Sequence, residues 1–424
     1  MTQVKRPGRE PLLAGYGEAV ITPPRGIDLC GYGFYLDRKA GRVLDPLKAR
    51  AVSLRRGGNA VVVVACDLIG LSVATSDRLR DEIGRRLDLP RAAVLIACTH
   101  THSGPATVSM PGLGDADPEY MAGLEQRIVG AAVRAGRDSR PARASWAIET
   151  VEPLGYNRRT MDFGGVDADL KTVIIDRGGE RLHLWSYACH AVVLGPGRDV
   201  SADWPGAAMR ALEAAGRRGI FLQGFCGDID PVSQRNRWGK GTGDDLTLYG
   251  ALAAARLIKA EGYRHLIEAP AIRAMESRVD VPIQIYAPDR IRRFAEVFAV
   301  KYKEFPGGPR FARDWNRRAL AGREAAASDP YVRGVPVQAM AIGPVRLAGL
   351  PGEVFTDFGP ALRRGRDPLL PIGFANGDVG YIPTRRAFSD PTDYAAWCAP
   401  MFYQIFPFRP DAGSLLVGRL RRLL

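Results

Sequence analysis

Short apolar runs recur along the chain, each closed by polar, glycine or proline residues. Residues 51–54, 60–65, 93–97, 172–175, 182–187, 220–224, 337–342 and 345–350 are of this kind and read as strands. Between several of them the apolar positions return every three or four residues, over 74–87, 120–135, 206–215 and 247–261, which predicts helices. Strands alternating with helices predict an α/β core of mixed β-sheets layered with flanking α-helices. The Gly343-Pro344 pair between two apolar runs reads as a tight hairpin, so part of the pairing is antiparallel. No internal repeat or low-complexity linker interrupts the pattern, and residues 1–424 read as one domain. The stretch 289–327 stands apart, because two amphipathic helical patterns there flank Pro306-Gly307-Gly308. It reads as a helical insertion packed on the core, with a lid or an oligomer surface as the sharper alternative.

Composition narrows the class. The formal net charge is +13, but only eight of the 59 basic residues are lysine, and they fall in small scattered groups. No aromatic RNA-binding signature accompanies them, so nucleic acid is not the expected partner. The first ten residues carry charge and are not followed by an apolar leader segment, and no apolar run approaches a membrane span. Six cysteines lie singly, mostly inside apolar runs, where a free thiol behaves as a small core residue. Together these predict a cytoplasmic protein with a small-molecule substrate and no membrane contact.

The candidate chemistry starts from histidine scarcity: the chain has five, and two form His100-Thr101-His102 after the apolar run 92–98. In extended backbone, positions i and i+2 share a face, so both imidazoles are expected at one spot, a pattern suited to Zn²⁺. Solvated turn histidines are the plain alternative. His190 ends another apolar run, where open α/β sheets gather ligands. Glu353 follows Pro351-Gly352 and is expected to open a helix over 354–364, either as a capping carboxylate or as a ligand. His183 alternates with apolar neighbours in a strand, and His265 reads as a loop residue.

Read in order, several blocks resemble the catalytic domain of the neutral/alkaline, non-lysosomal ceramidases. They are Gly17-Glu18-Ala19-Val20-Ile21-Thr22-Pro23-Pro24, Asp45-Pro46-Leu47, Cys66-Asp67-Leu68, Thr99-His100-Thr101-His102-Ser103-Gly104-Pro105 and Tyr156-Asn157-Arg158. Cys189-His190, Gly227-Asp228-Ile229-Asp230-Pro231, Leu350-Pro351-Gly352-Glu353 and Asn376-Gly377-Asp378-Val379-Gly380-Tyr381 complete the set. The resemblance implies a ceramidase-like fold and one zinc held by His100, His190, Glu353 and Tyr381, with a position left for water or substrate. It makes His102 the general acid/base, gives Arg158 the substrate oxygen or carboxylate, and matches Tyr394 to a tyrosine that assists the oxyanion, one residue further from Tyr381 than in the family. Asp67 and Asp228 are then candidates to orient the ligand histidines from behind.

The chain also departs from that family. Asp230 stands where ceramidases carry an active-site serine, the resemblance ends without their C-terminal domain, and no leader is expected. A carboxylate against an acyl chain is costly unless paired, so Asp230 is expected to meet the substrate or an arginine. The predicted function is a zinc-dependent hydrolase that cleaves an amide C–N bond of a small polar substrate. A lactone or ester hydrolase, and a non-catalytic binding protein on the same fold, are the alternatives.

Overall fold

The computed structural model describes residues 10–424 other than Phe34, Ser109 and Pro306. The charged stretch 1–9, and Pro306 between the two predicted helices, therefore lie outside the described residues. Nine strands build the main sheet: β1 Leu12–Val20, β2 Lys48–Arg56, β3 Asn59–Cys66, β4 Val94–Cys98, β5 Arg140–Thr150, β6 Asp169–Arg177, β7 Glu180–Tyr187, β8 Arg218–Gln223 and β9 His265–Ile267. Their order is β8-β7-β6-β5-β1-β2-β3-β4, with β9 added alongside β5. Only β7/β8 and β3/β4 run parallel. A second sheet joins β10 Ile272–Pro282, β11 Tyr331–Ile342, β12 Val345–Gly349 and β13 Leu369–Ile372, in that order. β11 and β12 form the expected antiparallel hairpin.

The apolar runs have no polar alternation because both faces of these strands are covered. Along β3, Val61, Val63 and Ala65 join a core shared with Met340, Ile342, Leu347 and Ile372 of the second sheet. Val62, Val64 and Cys66 point the other way, into a core with Leu79, Leu124, Ile128 and Leu257. Those last residues belong to helices α1 Val73–Leu87, α2 Pro118–Arg137 and α4 Gly243–Ala260; α3 Asp203–Ala214 packs in the same layer. The far face of the second sheet carries α5 Pro288–Lys301, α6 Gly308–Ser328, the short α7 Phe358–Arg363 and α8 Ala412–Arg421. The result is helix, sheet, sheet and helix in layers, an α/β architecture. His183 sits inside β7, 3.1 Å from Glu261, whereas His265 opens β9 rather than lying in a loop.

Local signals account for where the helices start. Ser72 accepts from Thr75 N and Asp117 from Tyr120 N, with Pro118 at the first turn of α2. At α4, Thr242 and Asp245 form a reciprocal capping box. Two glycines let α2 lie directly on β1: a Cβ at Gly15 would fall 1.8 Å from the Ala135 carbonyl oxygen, and one at Gly17 would fall 2.3 Å from that of Ala131. Backbone cannot yield as a side chain does. Gly15→Ala is therefore expected to cost at least the ~1–3 kcal/mol of an overpacked core, read from the urea midpoint. Gly262→Ala, where nothing lies within 4 Å, is the control and should cost a few tenths at most.

Candidate active site

The loops that follow β4, β7 and β8 meet those of the second sheet at one end of the layers. β4 stops at Cys98, and His100 has a φ of 62°. The two histidines of His100-Thr101-His102 thus converge through a turn and not along an extended strand. Their rings lie edge-on with centroids 4.6 Å apart. Holding a non-glycine residue in the left-handed region costs energy, and such strain collects at functional sites. Here Phe374, itself at φ 52°, stacks on the His100 ring at 3.9 Å. His190, three residues beyond β7, brings a third ring to 5.2 Å from His100 and 5.7 Å from His102. All three are buried, and one ring nitrogen of each lies within 4.8 Å of the others.

Glu353 does not open a helix. It belongs to a two-residue strand, Glu353–Val354, paired in parallel with Tyr381–Ile382, and α7 begins only at Phe358. Gly352, at φ 158°, lets these chains pass closely, since a Cβ there would fall 2.3 Å from the Gly380 carbonyl oxygen. The register sets Glu353 directly beside Tyr381.

Hydrogen bonding fixes what each histidine presents. His100 Nδ1 lies 2.6 Å from the Ile69 carbonyl, and His190 Nδ1 lies 3.0 Å from that of Ile229. A carbonyl only accepts, so each Nδ1 carries a proton, and in the neutral imidazole each Nε2 shows a lone pair. Those lone pairs face Glu353 Oε2, at 3.1 Å from His190 and 3.7 Å from His100. Lone pairs and a carboxylate so close repel one another unless a cation joins them. Two imidazole nitrogens, a carboxylate and an adjacent phenol are a fitting donor set for a divalent transition metal. The space beside them, lined by His100, His102, Glu353, Tyr381 and Tyr403, is about 20 Å³, enough for one ion or water.

His102 differs from its neighbours. Neither ring nitrogen has a hydrogen-bond partner among the described residues. Burial, then the nearby His100 and His190, push its pKa well below the ordinary histidine value, so the ring is neutral at pH 7. Gly31, at φ 125°, lies so close that a Cβ there would sit 2.5 Å from the His102 ring. Sequence reasoning missed this Gly31-Tyr32 turn, which closes over the imidazole.

Outside the small cavity opens a larger one of about 470 Å³. His102, Arg158, Asp230, Tyr381 and Tyr394 line it, with an aromatic wall that includes Tyr35, Trp238 and Phe305. Arg158 donates to Tyr381 Oη at 2.6 Å, to the Gly227 carbonyl at 2.8 Å and to Asp230 at 3.2 Å. Asp230 thus has an arginine partner while still facing the cavity. Arg159 is paired in the same way with Asp393 at 2.8 Å. Tyr394 meets the Tyr381 ring edge-on at 5.7 Å.

Asp67 and Asp228 are not behind the histidines. Asp67 accepts from Lys48 N at 2.9 Å and from Arg50 at 2.8 Å, tying β2 to the end of β3. Asp228 accepts from Thr356 N at 2.8 Å and from Asn157 Nδ2 at 3.4 Å. The Ile69 and Ile229 carbonyls take the orienting place, and backbone groups leave no mark in a residue pattern.

No protein-family model matches the sequence, and no curated protein matches it. Solved structures do. The crystal structure of neutral ceramidase from Pseudomonas aeruginosa superposes with a TM-score of 0.75 at 18% identity, over 98% of this chain and 74% of that one. A ceramidase complexed with C2 gives 0.76 at 18% identity, over 98% and 75%. Among the described residues no helix is long and apolar enough to cross a membrane. At this identity the likeness speaks for architecture, and it spans nearly the whole chain: the protein has the ceramidase-like fold.

Proposed function

We propose that the protein is a zinc-dependent hydrolase that cleaves an amide C–N bond in a small polar substrate. The observation that carries this reading is the pair of Nε2 lone pairs aimed at one oxygen of a buried carboxylate, beside a cavity with a neutral, unpartnered histidine. His100, His190, Glu353 and Tyr381 would hold the metal. Zn²⁺ held there supplies Lewis acidity to the amide carbonyl and lowers the pKa of a water.

The remaining work falls to side chains. His102, neutral and facing the cavity, accepts a proton from the attacking water and returns it to the departing amine. Arg158, donating to Tyr381 Oη, stabilises negative charge on that phenol and keeps it aimed at the site. Tyr394 Oη lies on the cavity wall as a donor for charge that develops on the carbonyl oxygen. Asp230 neutralises Arg158 and Asp393 neutralises Arg159, so the wall offers no uncompensated cation to an acidic substrate. These two pairs favour an uncharged amide, with Asp230 contacting it through a remaining carboxylate lone pair.

One observation favours a second donor set, His100, His102 and His190, which offer ring nitrogens within 4.8 Å of one another. Against it, metal-binding histidines almost always donate their other nitrogen to a fixed acceptor, as His100 and His190 do and His102 does not. The test of the function is metal analysis together with a panel of N-acyl amides, lactones and esters. About one zinc per chain and metal-dependent amide cleavage are expected. Lactone or ester cleavage without amide cleavage would move the reaction to that class, and a metal-free protein inactive on every member would overturn the hydrolase.

A further inference from the structure

Glu353 has two oxygens, and the proposed site uses one of them. The other, Oε1, accepts from Tyr403 Oη at 2.7 Å. Tyr403 lies in the sequence well past the blocks that carry the family resemblance, in the turn after a short helical segment, Ala399–Met401. Its ring lies on Gly380, where a Cβ would come within 2.8 Å of its Cδ2. Gly380 in turn accepts from Glu353 N at 3.0 Å through its carbonyl and donates its own N–H to Asp378 at 3.0 Å. The backbone and the carboxylate of Glu353 are therefore held from one side by a single packed unit, Asp378 to Tyr381 capped by Tyr403.

We propose that Tyr403 is a positioning residue for the metal site: its phenol engages Oε1 and so directs Oε2 alone at His100 and His190. This rests on the reading of these residues as a zinc site. Without the phenol, the carboxylate is free to rotate about its last bond and present both oxygens. Glu353 sits on a strand of two residues, so the anchor adds a constraint that the short pairing with Tyr381–Ile382 does not supply. The Asp378 carboxylate, 3.4 Å from Tyr403 Oη, limits the phenol from the other side. Tyr403 is thus to Glu353 what the Ile69 and Ile229 carbonyls are to the histidines, an outer partner that sets the direction of a ligand.

The test compares Tyr403→Phe, which removes one oxygen and keeps the ring over Gly380, with the unaltered protein. Three quantities are read: the zinc dissociation constant by competition with a chelating dye, the visible spectrum of the cobalt-substituted protein, and the metal-free melting temperature. The expected result is zinc binding weakened roughly 10–100-fold, the cost of losing an outer partner, with an altered cobalt band and an unchanged metal-free melting temperature. Equal zinc affinity and an identical cobalt spectrum in the two proteins would overturn the positioning role and leave the zinc site standing. Weakened binding matched by a lower metal-free melting temperature and an unaltered cobalt band would assign Tyr403 to folding instead. Failure of the unaltered protein to bind zinc would overturn the site reading, and this inference with it.

Discussion

His190→Ala and His100→Ala should each strip the protein of zinc and reduce amide turnover to background. Each imidazole is buried, has its Nδ1 proton committed to a backbone carbonyl, and has its remaining lone pair directed at Glu353 Oε2. Removing either leaves a metal with half its nitrogen donors. The loss of affinity should exceed the ~10–100-fold attached to outer partners, because a donor itself is removed. The folding cost should differ between the two. His100 stacks on Phe374, and its alanine variant leaves that contact empty. At His190 the main-chain carbonyl accepts from Trp204 Nε1 at 3.0 Å, a bond that survives truncation of the side chain. Metal content of dialysed protein, together with the melting temperature, reads both effects. Full zinc occupancy in either variant would remove that histidine from the donor set.

What the sequence revealed of this site and what it concealed follow from the range of the forces involved. Buried strands were legible because burial on both faces writes itself as an unbroken apolar run, as in β3 and β4. β5 and β10, whose burial is interrupted by exposed Arg140, Arg143, Arg273 and Asp280, do not stand out in the same way. His100, His102 and His190 stood out as rare residues at the ends of apolar runs, and the structure brings them together. His100 and His102 converge through a turn and not along an extended strand, because His100 adopts a left-handed conformation. The apolar spacing after Glu353 reads as a helix, but contact with Tyr381, distant in sequence, draws it into a strand instead. Such pairing overrides local periodicity, and no local pattern announces it. Least visible were the orienting partners. Two are main-chain carbonyls, and the third is Tyr403, an ordinary residue in a stretch rich in aromatics.

His102→Ala is the variant that separates proton transfer from metal binding, and it should keep its zinc while losing roughly 10²–10⁴-fold in turnover, the scale of a positioned acid/base. The structure distinguishes this ring from its two neighbours by what it lacks. Neither nitrogen is held by a carbonyl or a carboxylate among the described residues, so nothing selects one tautomer and either nitrogen can take or give a proton. Burial and the adjacent imidazoles keep it neutral at pH 7, the form that a base must have before it acts. Tyr32 meets it edge-on at 4.9 Å, and the close approach of Gly31 confines it further, so the ring is held by shape and not by hydrogen bonds. Such a group can pass a proton between a water and a leaving amine without breaking a structural bond. Deleting it opens space but leaves the Nδ1 bonds of His100 and His190 and the Tyr403 bond to Glu353 in place. Zinc content equal to that of the unaltered protein, with slow turnover, is therefore the expected outcome. A fall in zinc as deep as that of His100→Ala would make His102 a ligand, transfer the donor set to the three histidines, and leave Glu353 as the remaining candidate for the proton.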